Sequence, residues 1–281
     1  MEYVNIIKEK GILEVMRFNL LNSEFYLRFL SAFILFITLI LIFFLGELFI
    51  KIALFFLTFF LFNELEQLFN RRKKHFIYLA LLVFLYLFLP LKNFETLFFI
   101  DFFYIFFFLN FLLIFILFFQ LKNLHYLTVA WLINLTIFSF IHLLEGSKTF
   151  VFLLIILISS NDIMAYIGGK LFGKKKIFPI ISPNKTLEGS LVGLFSSIFI
   201  SVSYAFISQL DIISYFLLGF CVGVFGTLGD LYISFFKRKI NIKDSGNLIP
   251  GHGGVLDRFD SYLFCLPICV IIFDFFSFKI G

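Results

Sequence analysis

Residues able to do polar chemistry gather in the second half of this sequence, in two stretches that border long apolar runs. The first runs from Asn161 and Asp162 through Gly168, Gly169, Lys170, Gly173 and Lys174–Lys176 to Ser182-Pro183-Asn184-Lys185-Thr186-Leu187-Glu188-Gly189. Asp162 follows an apolar run and precedes another helical turn. That places it within a membrane's thickness, where a carboxylate is costly unless paired or metal-bound. Gly169 and Gly173, four apart, allow another backbone to approach. Ser182–Glu188 reads as a helix N-terminus with Thr186 as its cap, and backbone N–H groups there, beside Lys185, suit a phosphate. An ordinary basic turn between two spans, capped by Thr186, also accounts for these residues.

The second stretch runs from Gly226 to Ser261. Asp230, Ser234 and Arg238 are spaced i, i+4, i+8, with Lys237 at i+7, so all are expected on one side of a helix. Lys243-Asp244-Ser245 and Pro250-Gly251-His252-Gly253-Gly254 follow, then Asp257-Arg258-Phe259-Asp260. Asp257 and Asp260 share a helical face. Hard oxygen ligands at a membrane edge, beside Lys and Arg, describe a Mg²⁺ site that handles phosphates. Zinc fits poorly, because one His and no Cys lie nearby. The glycines around His252 let the backbone take positive φ or pack against a ligand. His252 itself reads either as a phosphate contact or as a structural hydrogen-bonder, and Asp244 reads equally as a turn residue.

The elements that must position these residues follow from composition. The chain has 281 residues, 61% of them apolar and 49 of them Phe, with only 15% charged. Mean hydropathy is +1.04. That excludes a disordered chain and a disulfide scaffold, and it leaves too little charge for a soluble surface. Apolar runs long enough to cross a bilayer lie at about 29–45, 48–63, 76–91, 97–119, 124–144, 150–168, 187–208, 212–235 and 260–278. The expected fold is an all-α polytopic integral membrane protein with about nine transmembrane helices. With the N-terminus cytoplasmic, 19 Lys and Arg fall on the inner side and 4 on the outer, as the positive-inside rule requires. The formal net charge of +5 is accounted for in this way, and no nucleic-acid partner is expected. Residues 1–28 read as an amphipathic surface segment rather than a cleaved signal peptide. Residues 29–148 form an N-terminal group of spans, and 149–281 carry the chemistry. Cys221, Cys265 and Cys269 read as small core residues, Glu64 and Glu66 as an interfacial charged patch beside Arg71–Lys74, and Asp101 is given no role.

The run Ser234-x-x-Lys237-Arg238-x4-Lys243-Asp244-x-Gly246-x2-Ile249-Pro250-Gly251-His252-Gly253-Gly254-x-Leu256-Asp257-Arg258-x-Asp260 resembles the signature of the phosphatidate cytidylyltransferase (CDP-diacylglycerol synthase) family. Asp162-x-x-Ala165-Tyr166 and Ser182-Pro183-x-Lys185-Thr186-x-Glu188-Gly189 are similar to that family's second motif. Together they cover residues 159–261. Two positions depart from the pattern: Ile233, where an acid is frequent, and Asn247, where His is frequent.

The resemblance implies that CTP and phosphatidate give CDP-diacylglycerol and pyrophosphate, in phospholipid biosynthesis at the cytoplasmic face of the inner membrane. It implies a site of two cations, Mg²⁺ and a second for which a monovalent ion is a candidate. Their carboxylates map onto Asp230, Asp257 and Asp260, and Asp162 is added to them. Lys185, Lys243 and Arg258 become candidates for the CTP phosphates. Ser234, Lys237 and Arg238 become candidates for the lipid phosphate, and Ser182 and His252 join the substrate-binding set. A homodimer is compatible with the family. A transporter would instead spread its acids along a central path at mid-membrane. A different CTP-dependent lipid enzyme, such as a polyprenol kinase, would share the nucleotide site and differ in its lipid pocket.

Overall fold

The computed structural model describes residues 30–31, 33–35, 37–38, 40–69, 124–246, 248 and 253–276. The expected spans at 76–91 and 97–119, the segment 1–28 and His252 lie outside the described residues. Six helices long and apolar enough to cross a membrane are present among the described residues. They are α1 (Glu47–Leu68), α2 (Leu124–Gly146), α3 (Lys148–Phe172), α4 (Leu187–Ile207), α5 (Ile212–Lys239) and α6 (Leu256–Phe276). Described residues of a shorter apolar helix, Phe33–Leu45, lead into α1 at Gly46, whose φ of 104° only glycine adopts freely.

The structure departs from a purely helical reading at one place. Between α3 and α4 the chain forms an antiparallel hairpin, β1 (Lys176–Phe178) and β2 (Ser182–Thr186), pairing Lys176 with Thr186 and Phe178 with Ser182. Pro183 sits in β2 and removes one N–H donor, which a two-stranded ribbon with free edges tolerates.

α4 has a buried face made of Gly189, Gly193, Ser197, Ser201 and Ala205, one small residue at every fourth position. Its outer face carries Phe195, Phe199 and Phe206, all exposed. In lipid, helices associate through close packing of small residues and through hydrogen bonds between them. A Cβ on Gly189 would stand 2.6 Å from Ala165 O and 2.8 Å from Gly169 Cα, so α3 and α4 touch backbone to backbone. On the other side Ser197 Oγ donates to Gly219 O (2.9 Å) and Ser201 Oγ to Tyr215 O (2.5 Å) of α5.

α6 contains Pro267. Proline has no N–H, so Leu263 O, four residues earlier, loses its helical donor. Thr136 Oγ1 of α2, which donates chiefly to Leu132 O (2.6 Å), also reaches that carbonyl at 3.3 Å. Elsewhere α2 meets the end of α5, where Tyr232 OH donates to Thr128 Oγ1 (2.8 Å). The apolar core lies where α1, α2, α3, α5 and α6 face one another, around Leu54, Ile141, Leu157, Val222 and Cys269. The cysteines are free thiols, Cys265 and Cys269 buried.

Candidate active site at one end of the helices

α3 ends, α4 begins, α5 ends and α6 begins at the same end of the molecule, and the polar motifs meet there. Gly229 closes the distance between α5 and α6: a Cβ at this position would lie 2.5 Å from Asp260 O. The next residue, Asp230, is thereby placed beside Asp260. The charges of Asp230 and Asp162 both act on Asp260, and Asp230 also acts on Asp162. Carboxylates from three helices thus lie within electrostatic range of one another. Ser261 links two of them: its Oγ donates to Asp162 Oδ2 (2.9 Å), and its N–H donates to Asp260 Oδ1 (2.9 Å). Asn161, buried beside Asp162, donates to Asp162 Oδ1 (3.3 Å). Ser234 Oγ donates to Asp230 Oδ1 (3.2 Å).

Lys185 of β2 forms an ion pair with Asp230, so the hairpin delivers a cation into the cluster. The hairpin is held for this purpose by Thr186 and Glu188. Thr186 Oγ1 accepts from Gly189 N (3.2 Å), the expected N-cap of α4. Glu188 accepts from the backbone N–H groups of Lys174 (3.0 Å) and Lys175 (3.1 Å), fixing the start of the hairpin against the start of α4.

Asp257 lies on the same helix as Asp260 but has different partners. Its Oδ1 accepts from Lys237 Nζ (2.7 Å), and its Oδ2 from Ser245 N (2.8 Å) and Gly254 N (3.1 Å). Gly253 takes φ 82°, and a Cβ there would come within 3.0 Å of Asp257 Oδ2, so glycine alone fits both the turn and the contact. The shared helical face expected for Lys237 and Arg238 is not what the structure shows. Lys237 is buried and turns toward α6. Arg238 is exposed and reaches the hairpin, its Nε donating to Ile181 O (3.3 Å) and its Nη1 to Ile242 O (3.1 Å). Ser182 is half-buried at the start of β2, while Lys243 and Arg258 are exposed at the rim.

Glu66 and Glu64, expected as an interfacial charged patch, are both buried, Glu64 against the start of α6. Glu64 Oε1 accepts from Val255 N (2.8 Å), and its Oε2 accepts from Leu256 N (2.9 Å) and Ser245 Oγ (3.1 Å). The available signal was a Glu seventeen positions into an apolar helix, where a charge needs a partner. The sequence did not reveal that the partner lay some 190 residues away.

The carboxylates Asp162, Asp230 and Asp260 offer hard oxygen donors, which suit Mg²⁺ rather than zinc. Among the described residues no three His, Cys, Asp or Glu side chains could hold an ion by themselves. Mg²⁺ is ordinarily bound by one or two carboxylates together with water and substrate phosphates, so the residues present fit that ion with its substrate.

The profile of the family described as "Cytidylyltransferase family" matches residues 26–276. A phosphatidate cytidylyltransferase of Staphylococcus aureus (strain COL) is 46% identical over 114 residues, covering 40% of this chain and 44% of that protein. One from Bacillus subtilis (strain 168) is 44% identical over 131 residues, covering 46% of this chain and 49% of that protein. The matched part thus spans less than half the length of these relatives. The family match extends over nearly the whole chain and takes in all six helices, the hairpin and the carboxylate cluster: the chain belongs to the cytidylyltransferase family.

Proposed function

We propose that this protein is a phosphatidate cytidylyltransferase, joining CTP and phosphatidate to give CDP-diacylglycerol and pyrophosphate. The observation that carries the reading is the meeting of Asp162, Asp230 and Asp260 with Lys185 at the end of apolar helices. A lipid phosphate and a water-soluble triphosphate can meet only at such an edge. The family and the named relatives supply the substrate class.

A phosphate monoester has a second pKa of about 6, so a phosphatidate oxygen is already a nucleophile at neutral pH and needs no general base. It forms a bond to the α-phosphorus of CTP as the bond to the β-phosphate oxygen breaks and pyrophosphate leaves. The obstacle is repulsion between two anions, and fixed positive charge lowers it. Lys185 is in place against Asp230, beside the carboxylate cluster; Lys243, Arg258 and Arg238 stand at the rim, where phosphates arrive. Asp230 and Asp260, with Asp162, would hold Mg²⁺, which neutralises phosphate charge and stabilises the leaving group. Asp162 lies on the exposed side of α3 beside Ile163, Met164 and Ile167, which are also exposed. A lipid headgroup can therefore reach the cluster sideways from the bilayer. Lys237 is occupied by Asp257 and serves the loop rather than the lipid phosphate.

We further propose that the site lies at the cytoplasmic face of the inner membrane, in a chain of about nine spans with its N-terminus inside; the basic residues beside the site support this orientation. The test is to incubate purified protein with labelled CTP, Mg²⁺ and either phosphatidate or polyprenol, and to identify the lipid product. CDP-diacylglycerol from phosphatidate is expected. Product from polyprenol alone would overturn the reading.

A further inference from the structure

The signature loop has two described ends, 244–246 and 253–256, and both converge on one carboxylate from the first half of the chain. Glu64 accepts the N–H groups of Val255 and Leu256, the first donors of α6, together with the hydroxyl of Ser245 at the other end of the loop. The geometry leaves no slack. A Cβ on Gly254 would lie 2.0 Å from Ser245 Oγ and 2.6 Å from Glu64 Oε2, and one on Gly246 would lie 3.0 Å from Glu64 Oε1. Gly254 is therefore glycine because the Glu64 carboxylate and the Ser245 hydroxyl occupy the space a side chain would need. Glu64 is 2% exposed and Ser245 4% exposed, so water does not substitute for these bonds.

Asp257 follows directly on the two amides that Glu64 holds, and Asp260 lies one turn further. Shifting the start of α6 by a fraction of an ångström moves Asp260 relative to Asp230 and Asp162. The geometry points to Glu64 as a positioning residue of the reaction. Acting through Ser245, Val255 and Leu256, it sets the register of α6 and thereby the placement of Asp257 and Asp260. The inference rests on the cytidylyltransferase reading for its activity measurement, and on the hydrogen bonds alone for its exchange measurement.

The experiment compares full-length wild type, Glu64→Gln and Ser245→Ala in detergent. Hydrogen exchange follows peptides covering 253–258, with peptides from α4 as the internal control. CTP:phosphatidate turnover is resolved into kcat and KM for CTP. Glu64→Gln keeps the shape and one acceptor but presents an NH₂ to an N–H. It is expected to speed exchange at Val255 and Leu256 by about 10-fold or more while α4 is unchanged. It is expected to lower kcat by about 10-fold or more with KM for CTP shifted less than about 3-fold. Ser245→Ala, which removes one of the three bonds, should show a smaller effect of the same kind. Unchanged exchange at 253–258 in Glu64→Gln would overturn the inference, whatever the activity. So would a wild-type kcat, or an activity loss matched by an equal loss of folded protein on thermal melting. A wild type inactive on phosphatidate, with the exchange effect intact, would instead count against the proposed reaction and leave the anchoring role of Glu64 standing.

Discussion

Asp260 faces Asp230 and Asp162, whereas Asp257, three residues earlier, commits both oxygens to Lys237 and to the backbone of the signature loop. The two carboxylates should therefore fail differently. Asp260→Asn is expected to lower kcat by more than about 10²-fold at saturating Mg²⁺ while leaving thermal melting in detergent unchanged. Asp257→Asn leaves Lys237 buried without its charge partner; the two side chains are 11% and 8% exposed. It should lose about 3 kcal/mol of stability as well as activity, read as a lower melting temperature. A melting curve for Asp257→Asn matching wild type would refute this division. Spacing in the sequence identified Asp257 and Asp260 as one pair of ligands because it reports only that they share a face. Their separation arises from Lys237 and Ser245, which three-residue spacing cannot represent. Glu64 escaped for the same reason, since its partners lie in another part of the chain.

The helices themselves were largely legible. Long apolar runs gave α1 to α6 within a few residues, because a span's length is set by the bilayer. α1 runs five residues past its expected end, to Leu68, and α6 begins four residues early, at Leu256 rather than near 260. Polar residues at its start hid the first turn, and these are the residues that Glu64 and Asp257 secure. The close approach of α3 and α4 at Gly169 and Gly173 was also readable, and the contacts there with Thr186 and Gly189 bear it out. The hairpin was not. Its strands are three and five residues long, too short for period-two patterning, and its sequence is dominated by Lys, Ser, Pro and Asn. The small-residue face of α4 was present in the sequence as Gly189, Gly193, Ser197, Ser201 and Ala205, but it was hidden among Phe and Leu. A side chain on that face must push α3 away: a Cβ at Gly193 would stand 2.7 Å from Asn161 O and 2.8 Å from its Oδ1. Gly193→Val is expected to cost about 1–3 kcal/mol and, through Asn161, to disturb Asp162. Thermal melting with and without CTP should show both, and a variant as stable as wild type would contradict the packing described.

Among the described residues, cationic side chains crowd one end of the molecule. Lys174–Lys176 and Lys185 lie on the hairpin, Lys237, Arg238 and Lys239 at the end of α5, and Lys243 and Arg258 beside them. Lys51 and Lys148 lie toward the opposite end, near the starts of α1 and α3. Such an asymmetry orients spans during insertion, and on the proposed topology the carboxylate cluster lies on the cytoplasmic side. Cysteine labelling tests it. A cysteine at Lys175 should react with a membrane-impermeant maleimide only in opened cells, and one at the exposed Gln209, at the far end of α4, should react in intact spheroplasts. The reverse pattern would invert the orientation. The same asymmetry was countable in the sequence. The convergence of the loops on one carboxylate cluster needed the helix packing.

Pro267 adds a constraint on how the chain is made. A helix entering lipid with a bare carbonyl at Leu263 carries an unsatisfied polar group into the bilayer core, and in the folded protein the Thr136 hydroxyl of α2, shared with Leu132 O, is the side-chain donor that reaches it. α6 is the last helix described, so its donor is synthesised long before it. The contact to Leu263 O exists only where α6 lies against α2, and the bonds from Val255 and Leu256 to Glu64 exist only where α6 also meets α1. Fragments that stop short of α6, or begin after α2, are left with neither.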